Sequence, residues 1–183
     1  MAKVKVSKTE AARRQLDVAI RLLFANEDPI AVHTLAMAAF RILRDLASKS
    51  DDSYMHKVVG SMIRTGMEKD FWKFLHGPAN FLKHADKDPD AILNNLDEKV
   101  NDFILLISCF YYQDLGNEYT PEMVTLVSWC SALFPEFLLS DADVSLQNAL
   151  RQARPTLHGK SRIEQLRMGR ELLELARARI HHR

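Results

Sequence analysis

The stretch from Asp28 to Ala47 constrains this chain most. Asp28-Pro29 sets a capping carboxylate directly before a proline whose fixed φ suits the first helical position. Behind it Val32, Leu35, Ala36, Ala39, Phe40, Ile42, Leu43 and Leu46 fall within one arc of about 160° at helical spacing. Thr34, Arg41 and Asp45 lie on the opposite side. His33, Met37 and Arg44 edge the apolar arc, which predicts a His33 held by a hydrogen bond at the core boundary. A helix with so wide an apolar face has to be covered by other elements.

The same punctuation recurs along the chain. Ser7 and Glu10 have capping-box spacing ahead of an amphipathic run to Phe24. A third helix is expected from Tyr54 to about Thr65, with Gly66 interrupting it before a run from Met67 to Leu75. His76-Gly77-Pro78 reads as a stop and restart, followed by a short helix from Pro78 to Asp86. Asp97 predicts the cap of a helix to about Leu115, and Thr120-Pro121-Glu122 opens another to about Leu133. Ser140 to Arg154 reads as helical and Pro155 to Gly159 as a loop. A last helix is expected from Ser161 to Ile180, with Leu166, Leu172, Leu173, Ala176 and Ile180 on one face and Arg167 paired with Glu171. Six Gly and six Pro in 183 residues are too few for a chain of many tight β-turns. The expectation is all-α: one domain over 1–183, a single helical bundle of about seven helices.

Phe103 to Tyr112 is apolar but for Ser108, and Gln113 lies just beyond it. A helix apolar on every side is either central in a bundle or shared with a second subunit, so a homodimer through 103–112 is expected. The run is far short of the about 18 residues that a membrane span needs. Cys109 and Cys130 sit in apolar surroundings and read as buried free thiols, which with the lack of an apolar leader predicts a cytoplasmic protein. Trp72 and Trp129 read as core anchors. Charge is uneven beneath a net +1: residues 77–150 carry 3 basic and 12 acidic groups, residues 151–183 carry 9 and 3. That pattern fits basic ends lying on an acidic middle, or a basic face toward nucleic acid.

No Glu-x-x-His, His-Glu-x-x-His, Cys-x-x-Cys or phosphate-cradling Gly-rich loop occurs, so neither a metal nor a cofactor is expected. The most polar short segment is Asn80 to Asp88. On a helix Asn80 and His84 share a face, with Lys83 beside them. A histidine near neutral pKa beside an amide and an ammonium suits acid–base work or phosphate binding. The same residues also suit a structural hydrogen-bond network. His56 and His76 read as surface or helix-end groups.

Asp28-Pro29-Ile30-Ala31-Val32-His33-Thr34-Leu35-Ala36, followed about 45 residues later by Asn80-x-x-Lys83-His84, resembles small bacterial all-α proteins of the HEPN type. The resemblance covers about residues 10–115, leaving 116–183 as additional helices packed on that core. It implies a helical bundle, commonly dimeric, that is either a metal-independent RNase or a nucleotide-linked or inactive adaptor. The catalytic signature of such proteins is an Arg, then four to six residues, commonly beginning with a polar one, then a His. Asn80 matches the polar residue and His84 the His, but Ala79 stands at the Arg. Arg151 with His158 and Arg177 with His182 have the spacing, yet about 1.6 such pairs arise by chance in this composition, so they carry nothing.

The first expectation is therefore a non-catalytic or weakly active nucleotide- or RNA-linked interaction module centred on Asn80, Lys83 and His84. The alternative is a metal-independent endoribonuclease with His84 as acid–base group and Asn80 positioning. Lys83, or an Arg reaching in from Arg41, Arg44 or Arg64, would then stabilise phosphate charge. A third is a ligand-sensing bundle with an internal apolar pocket.

Overall fold

Asp28 accepts a hydrogen bond from the Ile30 N–H at 2.7 Å, and Ser7 Oγ one from the Glu10 N–H at 3.1 Å, so both signals start helices as their sequences require. The computed structural model describes residues 3–50, 52–62, 68–84, 86, 88–94, 96–134 and 154–181. These residues are all-helical, with no strand among them. The elements are α1 (Lys8–Phe24), α2 (Pro29–Ala47), α3 (Tyr54–Met62), α4 (Glu68–Phe81), α5 (Lys99–Asp114) and α6 (Pro121–Leu133), then α7, described over 154–157, and α8 (Arg162–His181). The helix expected over Ser140–Arg154, all but Arg154, and the break expected at Gly66 lie outside the described residues.

α1 and α2 pack along each other, α2 lies against α5, and α6 and α8 close on α1. Of the arc read from α2, Val32, Ala36, Ala39, Phe40 and Leu43 have essentially no exposed surface, but Leu35, Ile42 and Leu46 are half-buried, and His33 and Met37, expected at its edge, are fully buried. α5 takes the central place within a single chain. Ile104, Leu105, Leu106, Ile107, Cys109, Tyr111 and Tyr112 are all buried, and Phe103 and Phe110 pack against the core from its edge. Its apolar girth is used up inside the protomer, so a second subunit is not required to cover it. Cys109 and Cys130 are buried free thiols, each with its pKa raised by burial.

Four polar ties join the helices. Arg162 of α8 clasps Asp102 of α5 with two 2.7 Å bonds, its guanidinium also lying over the Trp129 ring at 5.4 Å. Glu122 of α6 accepts from Arg21 of α1 at 2.8 Å and from Arg177 of α8; burial opposes its ionisation, but those bonds hold its carboxyl below the ordinary value. Asp114 at the end of α5 caps α3, taking bonds from Ser53 Oγ at 2.6 Å, Tyr54 N–H at 3.2 Å and Met55 N–H at 3.3 Å. His33 is fully buried, its Nδ1 2.9 Å from Asn101 Oδ1, while Asn101 donates to the Pro29 carbonyl at 3.0 Å.

Two proline signals misled. His76-Gly77-Pro78 neither stops nor restarts a helix: α4 runs through it to Phe81 with Pro78 inside. Pro155 likewise lies within helical residues, where a loop is expected over 155–159, and the His158 N–H bonds Arg154 O at 2.7 Å. Proline's locked φ is helical, so its cost is a missing backbone donor rather than a forbidden conformation. On α8, Leu166 and Leu173 are buried as expected, but Leu172 is exposed. The buried stripe instead runs through Gly169, whose absent side chain lets α8 approach Phe24 of α1.

Candidate functional site

Continuity of α4 through Pro78 places Trp72, His76 and Asn80 at successive four-residue steps on one helix face. α2 runs beside α4 and offers Arg41 and Arg44, three residues apart. Arg44 Nη1 lies 3.0 Å from His76 Nε2, and Arg41 Nη2 lies 3.5 Å from His76 Nδ1. Arg41 Nη2 also donates to Asn80 Oδ1 at 2.8 Å. The imidazole is thus held between two guanidiniums.

Aromatic rings fix this arrangement. The Trp72 and His76 rings stack at 5.4 Å with 11° between their planes, and Phe40 tilts against His76 at 6.5 Å. The Arg44 guanidinium lies 5.4 Å from the Trp72 centroid and 5.7 Å from that of Phe40, both within cation–π range. Asp45 Oδ1 accepts from Arg44 Nη2 at 2.8 Å and from Nε at 3.1 Å. Trp72, expected in the core, is half-buried and serves as the floor of this cluster.

The electrostatics follow from the crowding of cations. Burial first, then the charges of Arg41 and Arg44, lower His76 to about 4, and Lys83 pushes the same way. Asp45 is the opposing carboxylate. Burial and Arg44 lower Arg41, and burial and Arg41 lower Lys83. His76 is therefore a neutral imidazole in a field of three cations.

The residues expected from the sequence divide. Asn80 is in the cluster, bonded to Arg41, and Lys83 is close enough for its charge to act on His76. Both the Lys83 and the His84 N–H bond the Asn80 carbonyl at 3.1 Å, just past the end of α4. His84 is exposed, and its Nδ1 lies 3.9 Å from Asp86 Oδ1. Ala79 is buried in the core, so an Arg there would point away from solvent; the guanidiniums come from α2 instead. Arg64, Arg151 and His182 lie outside the described residues.

His76 is the residue that sequence reading passed over. The signal was present as Trp72, His76 and Asn80 at helical spacing, but it disappears once the helix is broken at Gly77-Pro78. Other possibilities find less. Among the described residues no group of three His, Cys, Asp or Glu side chains is placed to hold a metal ion. The apolar crevice among Phe40, Val59, Leu75, Phe103, Ile104 and Ile107 has no room for a water molecule. No helix among the described residues is long and apolar enough to cross a membrane.

No family model matches the chain, and no curated protein or solved structure matches it either.

Proposed function

We propose that this chain is a helical bundle that binds the phosphate groups of a nucleotide or of RNA on its α2–α4 face, as a non-catalytic or weakly active interaction module. One observation carries this reading. Arg41 and Arg44 flank a neutral His76, the charge of Lys83 acts on it in the same direction, and Asp45 opposes them. Cations gathered without matching carboxylates favour an anion, and guanidiniums suit phosphate oxygens by geometry as well as charge. Asn80 and Lys83 belong to this reading because Asn80 accepts from Arg41 and the Lys83 charge acts on His76.

A second reading is a metal-independent endoribonuclease. The expected acid–base group, His84, lies beside Asp86. His76 accepts from Arg44 at Nε2, so its lone pair is not free to take a 2′-hydroxyl proton; His84 stays the acid–base group of this reading, with Arg41 or Lys83 stabilising phosphate charge.

Fluorescence anisotropy with a labelled single-stranded RNA tests the first reading. Binding is expected to weaken steeply with salt and to fall about tenfold or more in Arg41→Ala. Salt-insensitive binding, or an unaffected variant, overturns it. Incubation of RNA in EDTA with wild type, His76→Ala and His84→Ala decides between the readings, since cleavage lost in either variant establishes the nuclease.

A further inference from the structure

The donors of this cluster specify more than phosphate in general, provided that the α2–α4 face binds phosphate at all, as proposed for it. Arg44 is committed inward, with Nε and Nη2 on Asp45 and Nη1 on His76 Nε2. A guanidinium donates and never accepts, so Nε2 at 3.0 Å supplies the lone pair. A neutral imidazole has one lone pair, which leaves the proton on Nδ1. That Nδ1–H faces Arg41 Nη2 at 3.5 Å, donor against donor. Two such groups do not bond each other; they are reconciled by one acceptor bonded to both.

Asn80 points the same way. Its Oδ1 is taken by Arg41, so the amide NH2 is the end turned to a ligand, on an exposed residue. Lys83 brings an ammonium from just beyond α4. We propose that Arg41, the His76 Nδ1–H, the Asn80 NH2 and Lys83 form a subsite for a terminal phosphate monoester. The ligand is the dianionic end of a mononucleotide or of a 5′-phosphorylated RNA, selected over an internal phosphodiester.

Charge and oxygen count favour the monoester. Near neutral pH it carries close to two negative charges on three terminal oxygens, whereas a diester carries one charge on two. Here the charges of Arg41, Arg44 and Lys83 stand against that of Asp45, and the donors come from α2, from α4 and from just past its end. His76 adds a hydrogen-bond donor without adding charge. Arg44 is a positioning residue: it fixes the ring's tautomer and supplies field, with its own donors turned elsewhere.

Calorimetric titration of the full chain tests this. The probes are adenosine 5′-monophosphate and its phosphate methyl ester, and an RNA of about 12 nucleotides bearing a 5′-phosphate or a 5′-hydroxyl. The monophosphate is expected to bind about tenfold tighter than its ester. A like preference between the two RNAs assigns an RNA end as ligand, and a preference in the nucleotide pair alone assigns the mononucleotide. Lys83→Gln, at an exposed position where folding is not at stake, is expected to narrow the preference; Arg41→Gln is expected to abolish it. Equal affinity within both pairs overturns the terminal-phosphate proposal and leaves phosphate binding standing. No binding by any probe overturns both.

Discussion

Arg44 Nη1 stands 3.0 Å from His76 Nε2, a contact that only a neutral imidazole can accept. Burial, and then the charges of Arg41 and Arg44 on either side of the ring, resist its protonation and lower the His76 pKa to about 4.

That contact predicts how stability depends on pH. The unfolded histidine titrates near 6.5, so between about 6.5 and about 4 the unfolded chain takes up a proton that the folded chain refuses. Stability from His76 is therefore fully present above 6.5 and is lost as pH falls toward 4. Buried His33, also lowered by burial and by Arg41, acts in the same direction. Thermal melting at steps from pH 7 to 4.5 is expected to show a falling Tm in wild type and a shallower fall in His76→Gln. Parallel curves for the two proteins would contradict this account of the cluster.

Asp114 predicts a local effect. It caps α3 across 59 to 61 residues of chain, through the Ser53 hydroxyl and the Tyr54 and Met55 N–H groups. Asp114→Ala removes all three bonds and is expected to cost about 1–2 kcal/mol, the range for losing a helix cap. Hydrogen exchange should quicken first at the α3 amides, with those of α1 and α2 little changed. Uniform loss of protection would mean that α3 does not open separately.

The parts of this molecule that were legible are those encoded within a few residues. Ser7, Asp28, Thr120 and Ser161 each accept a bond from a first-turn N–H of their own helix, and each is recognisable from neighbours alone. The α2 arc was legible because burial follows periodicity. The His76 cluster was not, because its bonds join residues 32 to 39 positions apart, and pairing of α2 with α4 is a tertiary fact. Proline compounded the difficulty. At Asp28-Pro29 it marks a start, at Gly77-Pro78 it sits inside a helix, and the difference depends on whether surrounding packing outweighs one lost backbone bond. Asn80 and Lys83 were singled out on their polarity; the Arg41 guanidinium that bonds Asn80 comes from α2 and was not legible.

Gly169 predicts a steric effect. A Cβ there would lie 2.2 Å from Phe24 Cε1 and 2.4 Å from Cδ1. The ring has no space to retreat, being buried edge-on to Trp129 at 5.4 Å. Alanine ordinarily favours a helix over glycine by about 1 kcal/mol, so intrinsic propensity and packing oppose each other here. Packing is expected to win, with Gly169→Ala destabilising by about 1–3 kcal/mol in urea unfolding. Phe24→Leu in the same chain should recover part of the loss by shortening the obstructing ring. A stabilised Gly169→Ala would show that α8 does not approach α1 so closely.

The Asp102–Arg162 clasp separates the cost of breaking an ion pair from the worth of having one. Asp102 is 3% exposed, so Arg162→Ala leaves a buried carboxylate without its two 2.7 Å partners. Breaking such a pair on one side costs about 3–5 kcal/mol, because desolvation of the survivor is no longer offset. Replacing both partners is different. Asp102→Leu with Arg162→Met removes the two buried charges and keeps apolar contact with the Trp129 ring, against which the guanidinium now lies at 5.4 Å. The double variant is expected to recover most of the stability lost in Arg162→Ala, since an apolar replacement of similar volume avoids desolvation altogether. Urea unfolding of the wild type, Asp102→Leu, Arg162→Met and the pair gives the coupling directly. If the double variant is as unstable as Arg162→Ala, the clasp does more than neutralise its own burial: it holds α8 on α5 through a geometry that apolar side chains do not reproduce.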